Sequence, residues 1–226
     1  MRALRKSAQD VALHCDLTRD DTGLRRFLDP DCAALIWQRE APANVQHWLD
    51  RVDPDRLPRG RVIVQPDMVA RVFAEVCAMS GLPQGPEQDW LQADVTRLAG
   101  AFSSLMDTRY LRFRLDVVTT NACRKFHVDA IAARLVCTYR GTGTQLGVSH
   151  QGEAPAHVQT VATGSPLLLR GTRWPAQPAS GLLHRSPPIE GTGETRLVLV
   201  LVLDPVTDPE EEVDNHLAAP AGVPLH

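Results

Sequence analysis

At Arg109 the hydrophobic period of this 226-residue chain changes, and the change limits the folds open to it. Before it, the pattern is helical. Asp67 is placed to cap a helix over 68–79, with Gly81 and Pro83 as stop signals. A second helix is predicted over 86–106, because Leu91, Val95, Leu98, Phe102 and Leu105 recur at helical spacing. After it, Leu111, Phe113, Leu115 and Val117 alternate with Arg112, Arg114 and Asp116, the mark of a half-buried strand. Further strands are predicted over 126–129, 134–139, 158–161, 166–170 and 195–203, separated by turns rich in Gly, Ser and Pro. Helices first and many short strands afterwards predict an α+β fold: N-terminal helices packed on a jelly-roll, cupin-like barrel.

The expected organisation is one domain over residues 1–205. Residues 1–106 form a mainly helical lead-in and buttress, and 107–205 form the barrel. Within the lead-in, 33–37 reads as a short strand and 44–52 as a helix. The stretch 206–226 is acidic (Asp208, Glu210, Glu211, Glu212) and reads as a solvated tail.

The chemistry concentrates in Cys123-Arg124-Lys125-Phe126-His127-Val128-Asp129. On a strand, residues i and i+2 share a face, so His127 and Asp129 present an imidazole and a carboxylate side by side. His184 follows 55 residues after Asp129, in a proline-rich stretch read as a turn, and Arg196 opens the apolar run that ends at Leu203. Two histidines and a carboxylate on one face of a metal form the ligand set of non-haem Fe(II) oxygenases, with positions left open for a co-substrate and dioxygen. A 2-oxoglutarate co-substrate leaves one carboxylate free, and the planar fork of Arg196 suits it. Tyr139, on the strand after the His-x-Asp pair, is a second candidate for that carboxylate, or else a core tyrosine. A plain His–Asp hydrogen bond and a solvated strand-start arginine are the alternatives for His127–Asp129 and Arg196.

Composition narrows the classes. The net charge is −3, with no basic stripe of the kind that nucleic acid requires. No run of 18 apolar residues is present, so no membrane helix is expected, and the N-terminus lacks the apolar segment of a secretory signal. The five cysteines are odd in number and contain no Cys-x-x-Cys pair, which fits a reducing, cytoplasmic setting. Cys123, Cys137, His127 and His184 leave a zinc site open as an alternative. His150 and His157 read as loop histidines; His14, His47, His216 and His226 have no partner pattern.

The run at 123–129, with Arg134 to Thr144 and Leu183-His184-Arg185-Ser186-Pro187-Pro188, resembles the bacterial domain-of-unknown-function 1826 family. The resemblance is densest over about 109–205. Family members tend to read Gly-Pro-Gly-Thr-Glu-Trp where this chain has Gly141-Thr142-Gly143-Thr144-Gln145-Leu146. It implies a bacterial cytosolic protein, and a link to metal supply, because relatives are often encoded beside metal-handling GTPases of the zinc-homeostasis type. The layout also resembles the 2-oxoglutarate/Fe(II) dioxygenase superfamily, whose fold is a double-stranded β-helix. That likeness implies His127, Asp129 and His184 as the iron ligands and Arg196 as the co-substrate arginine, with an unknown substrate. The competing expectation is a non-catalytic Zn(II)-binding protein of the same fold, acting with a partner in metal homeostasis. The third is a barrel that binds no metal and serves as an interaction module.

Overall fold

A computed structural model describes residues 11–149 and 153–203. The expected tail over 206–226, His150, His216 and His226 lie outside the described residues. The strands are β1 (Val11–Ala12), β2 (His14–Thr18), β3 (Cys32–Trp37), β4 (Gly60–Val64), β5 (Leu111–Val118), β6 (Ala133–Arg140), β7 (Gln145–Val148), β8 (Val158–Thr160), β9 (Leu167–Arg170), β10 (Ala179–Ser180), β11 (Leu182–Arg185) and β12 (Arg196–Leu203). The helices are α1 (Ala43–Arg51), α2 (Val69–Ser80) and α3 (Pro86–Met106).

Seven strands form one large, mostly antiparallel sheet in the order β2-β3-β9-β6-β12-β5-β4. Its centre is β12, paired antiparallel to β6 on one side and β5 on the other. The continuous apolar run of β12 follows from this position: both faces are covered, so every side chain must tolerate burial. Leu197, Leu199 and Leu201 face the helices, each fully buried and each contributing about 1.5–3 kcal/mol. Val198 and Val200 face the other way.

The helices cover the first face. The α3 stripe of Leu91, Val95, Leu98 and Phe102 is fully or almost fully buried against Phe113, Leu135 and Leu199 in one core. Gly81 stops α2 in a left-handed conformation (φ 67°), as its place after the apolar run predicts. Asp67 does not cap α2: the helix begins one 3-10 turn later, at Val69, without a side-chain cap.

The second face meets a three-stranded sheet, β11-β7-β8. Leu146 and Leu182 of the small sheet pack with Ile36, Leu167 and Leu169 of the large one. The architecture is therefore helices, large sheet, small sheet. The strands separate into sheets, and the described residues do not trace one closed barrel. The lead-in is also more than helical. It supplies β2, β3 and β4 to the large sheet, because Cys32–Trp37 is buried on both faces and needs sheet neighbours on both sides.

Candidate metal centre

Loop 119–132 leaves β5 on the large sheet and returns as β6, and on the way it packs against β11 of the small sheet, where Arg185 also stacks on Phe126. His127 and His184 form an isolated antiparallel bridge, with N–H donated to carbonyl in both directions at 3.0 and 2.9 Å. Ser186 N donates to Cys123 O at 3.0 Å and continues that edge. His127 was expected inside a strand over 126–129; a single bridge holds it instead. His184 was expected in a turn, yet it lies in β11, paired with Leu146 of β7. Its proline-rich neighbours begin only after Arg185, where the strand ends.

The bridge sets the two imidazoles together, ring centroids 4.5 Å apart. Asp129 closes the group: Oδ1 is 3.3 Å from His127 Nε2, and Oδ2 is 3.1 Å from His184 Nε2. One ligand atom from each of the three residues falls within 4.8 Å of the others. His127 Nδ1 is 2.8 Å from the Lys125 carbonyl. A carbonyl only accepts, so Nδ1 donates its proton there and Nε2 is the ring atom that faces Asp129.

The loop is stapled from behind. Thr172 N donates to Asp129 O at 2.8 Å, Gly171 N to Ala132 O at 2.9 Å and Arg173 N to Ile131 O at 3.0 Å. A side chain at Gly171 would meet the Ile131 carbonyl at 2.1 Å, so the staple needs glycine there.

Burial alone would raise the Asp129 pKa. The His184 imidazole lying against it and the charges of Arg134, His184 and His127 overcome that and hold it at about 2. Burial lowers the pKa of His184, against the pull of Asp129, so the imidazole is neutral near pH 7. An ionised carboxylate and neutral imidazoles are the forms a metal needs. Asp129 Oδ2 and His184 Nε2 are buried, 3.1 Å apart, and off hydrogen-bond geometry with each other; Oδ2 has the Arg134 guanidinium 3.0 Å away, and His184 Nε2 has no hydrogen-bond partner among the described residues. A cation held by all three residues would satisfy both atoms. The donor set, two imidazole nitrogens and one carboxylate, is that of a three-ligand Fe(II) site with open positions.

The group opens into a pocket of about 110 Å³ between the two sheets. Its floor is Val136, Val198 and Val200, and Arg114, Arg134 and Arg196 also line it. Arg196 is 1% exposed. Its Nε donates to Thr142 O at 2.6 Å and Nη2 to Thr138 Oγ1 at 3.4 Å. No carboxylate among the described residues lies within ion-pair distance of it. Burial lowers its pKa to about 10, with Glu194 opposing, so the guanidinium stays charged at neutral pH.

Over residues 18–204 the sequence matches the family model described as protein of unknown function, DUF1826. The chain belongs to the DUF1826 family. No curated protein matches it. Among solved structures, the fold is similar to the dioxygenase for auxin oxidation 1 of Arabidopsis thaliana in a 2-oxoglutarate complex: TM-score 0.49, 10% identity, covering 87% of this chain and 94% of that one. The dioxygenase for auxin oxidation of rice gives TM-score 0.47 at 13% identity, over 91% and 95% of the two chains. A Pseudomonas putida prolyl-4-hydroxylase gives 0.40 at 12% identity, over 80% and 96%.

In this DUF1826 chain, His127, Asp129, His184 and Arg196 line one site or its pocket, and Tyr139 does not join them. Tyr139 is on the helix-facing side of β6, fully buried, and its hydroxyl donates to Asp94 Oδ2 of α3 at 2.7 Å. Asp94 also accepts from both terminal nitrogens of Arg39. Strand alternation is the reason: Val136 lines the pocket, so Cys137 and Tyr139 take the other face. Cys137 is thus directed away from the metal group, and Cys123, although it lines the pocket, is not one of the three clustered ligands. The expected zinc alternative gains no cysteine ligand among the described residues. His157 lines a separate groove with Leu146 and Leu182. The reading of the sequence overlooked Arg134, whose Nη1 is 3.0 Å from Asp129 Oδ2, and the pocket-facing role of Arg114. Their signal was present in the polar positions of β5, on the less buried face of a half-buried strand, and in the arginine that opens the strand over 134–139.

Proposed function

We propose that this chain is an Fe(II)- and 2-oxoglutarate-dependent dioxygenase that hydroxylates a substrate, with its two facing sheets forming the walls of a double-stranded β-helix. The observation that carries the reading is the pairing of His127, Asp129 and His184 with a buried arginine that lacks a carboxylate partner in the same pocket. His127 Nε2, His184 Nε2 and the Asp129 carboxylate would hold the iron. Iron bound there, with 2-oxoglutarate and dioxygen, supplies oxidative decarboxylation to succinate and carbon dioxide, coupled to hydroxylation of a C–H bond. Arg196 receives the far carboxylate of 2-oxoglutarate through a guanidinium already positioned by Thr142 and Thr138. The floor of Val136, Val198 and Val200 keeps water from the reacting carbon.

The test is succinate formation by anaerobically purified protein given Fe(II) and 2-oxoglutarate, followed after oxygen is admitted. Uncoupled succinate that disappears in His184→Ala is the expected result. No succinate, together with no calorimetric binding of 2-oxoglutarate to the iron-loaded protein, would overturn the reading.

A further inference from the structure

On the dioxygenase reading, the metal and Arg196 account for the co-substrate, and a second set of cations remains. Arg114 of β5 and Arg134 of β6 line the same pocket on the same sheet face, opposite Val200 and Val202 of the strand between them. The row continues outward. Arg61 of β4 stands directly opposite Arg114 in register. The pocket itself is lined by Arg114, Arg134, Arg185 and Arg196 against the single carboxylate of Asp116 in that lining, an excess of positive charge that an anion would offset.

The acids nearby are already engaged. Asp116 pairs with Arg114 Nε, and Asp129 meets Arg134 Nη1 while serving the metal group. Arg134 Nε is buried with no hydrogen-bond partner among the described residues. Leaving a buried N–H unmade is unfavourable, and an incoming acceptor would recover that cost. Guanidinium groups match the planar edge of a carboxylate and the oxygens of a phosphate. The pocket is a small enclosure between two sheets, sized for a small molecule rather than a polymer groove.

We propose that Arg114 and Arg134 hold the oxyanion of a small carboxylate- or phosphate-bearing molecule, the substrate whose C–H bond is presented to the metal group. The identity of that molecule as substrate rests on the dioxygenase reading; the anion site itself does not.

The test uses the full metal-free chain and inorganic phosphate as the probe, by calorimetry in an anion-poor buffer. Saturable binding in the millimolar range is expected, at least tenfold weaker in Arg114→Gln and in Arg134→Gln. Arg71→Gln, on the exposed face of α2, should leave it unchanged, and circular dichroism checks that each variant folds. A parallel titration with acetate separates a carboxylate preference from a phosphate one. No saturable phosphate or acetate binding overturns the proposal, as does unaltered binding in Arg114→Gln. Loss confined to Arg196→Gln would put the anion on the co-substrate arginine and also overturn it. So would binding of a single-stranded oligonucleotide by a chain that ignores both small anions. Stoichiometric iron binding is measured separately: iron without anion binding leaves the dioxygenase reading standing, and anion binding without iron removes that reading alone.

Discussion

His127 and His184 exchange both backbone hydrogen bonds, at 3.0 and 2.9 Å, and this bridge joins a loop of the large sheet to the small sheet. The metal group therefore depends on the sheets being held face to face. Asp129 supplies the only carboxylate among the three clustered ligands. Asp129→Ala is expected to abolish stoichiometric Fe(II) binding, measured by metal analysis after anaerobic reconstitution, while the fold persists. An Asp129→Ala chain that retained one iron would disprove the ligand assignment.

Gly171 offers a test from outside the group. A Cβ there would lie 2.1 Å from the Ile131 carbonyl and 2.7 Å from that of Asp129. Gly171→Ala should cost about 1–3 kcal/mol of stability through overpacking, read as a lower urea midpoint. Iron affinity should fall with it, because the displaced backbone carries Asp129. Iron affinity equal to wild type would show that the staple does not position the carboxylate.

Tyr139 and Arg196 separate by role. Tyr139→Phe removes a buried hydrogen bond to Asp94 and should cost about 1–2 kcal/mol, with 2-oxoglutarate affinity unchanged. Arg196→Gln should weaken 2-oxoglutarate binding about tenfold or more, with iron binding unchanged. Calorimetry on iron-loaded, oxygen-free protein measures both. The reverse pattern would return the co-substrate to Tyr139.

Alkaline pH should unfold this chain early. Burial pushes the thiols of Cys77 and Cys137 up from 9.0 to about 12. Each folded pKa lies above its unfolded value, so each contribution is complete below about pH 9 and is lost as pH rises through about 12. Across that window the unfolded chain releases protons that the folded chain retains, and stability falls by up to about 1.4 kcal/mol per pH unit for each thiol. Urea midpoints at mildly alkaline and strongly alkaline pH should diverge in wild type and diverge less in a Cys77→Ala/Cys137→Ala double variant, which keeps Cys15 and Cys32, raised by burial to about 12 and about 11. Equal divergence in both would remove these thiols as the cause.

Much of the site was legible because its chemistry is local in sequence. His127 and Asp129 are two residues apart, and the apolar run after Arg196 marks a strand buried on both faces. Less was legible in the first sixty residues, where the strands are short and one, His14–Thr18, carries polar side chains that hide its pairing with β3. The edge strand β4 was missed for a related reason: exposed Arg61 and Val62 sit side by side and only Val64 is buried, so no inside-outside alternation marks the strand.

From the sequence alone came the helix-to-strand switch, the stripe of α3, His127, Asp129 and His184 as one candidate group and the place of Arg196 at the start of its strand. Those depend on residue spacing, which the backbone period converts directly into faces. Tertiary structure decided which face of each strand meets what. It turned Tyr139 toward Asp94 and Val136 toward the pocket, and it set Arg114 and Arg134 beside the metal group rather than in solvent. It also brought His184 across from a second sheet. Alternation says that neighbouring residues on a strand face opposite ways, but only the packing of helices on one side and the small sheet on the other says which way is which.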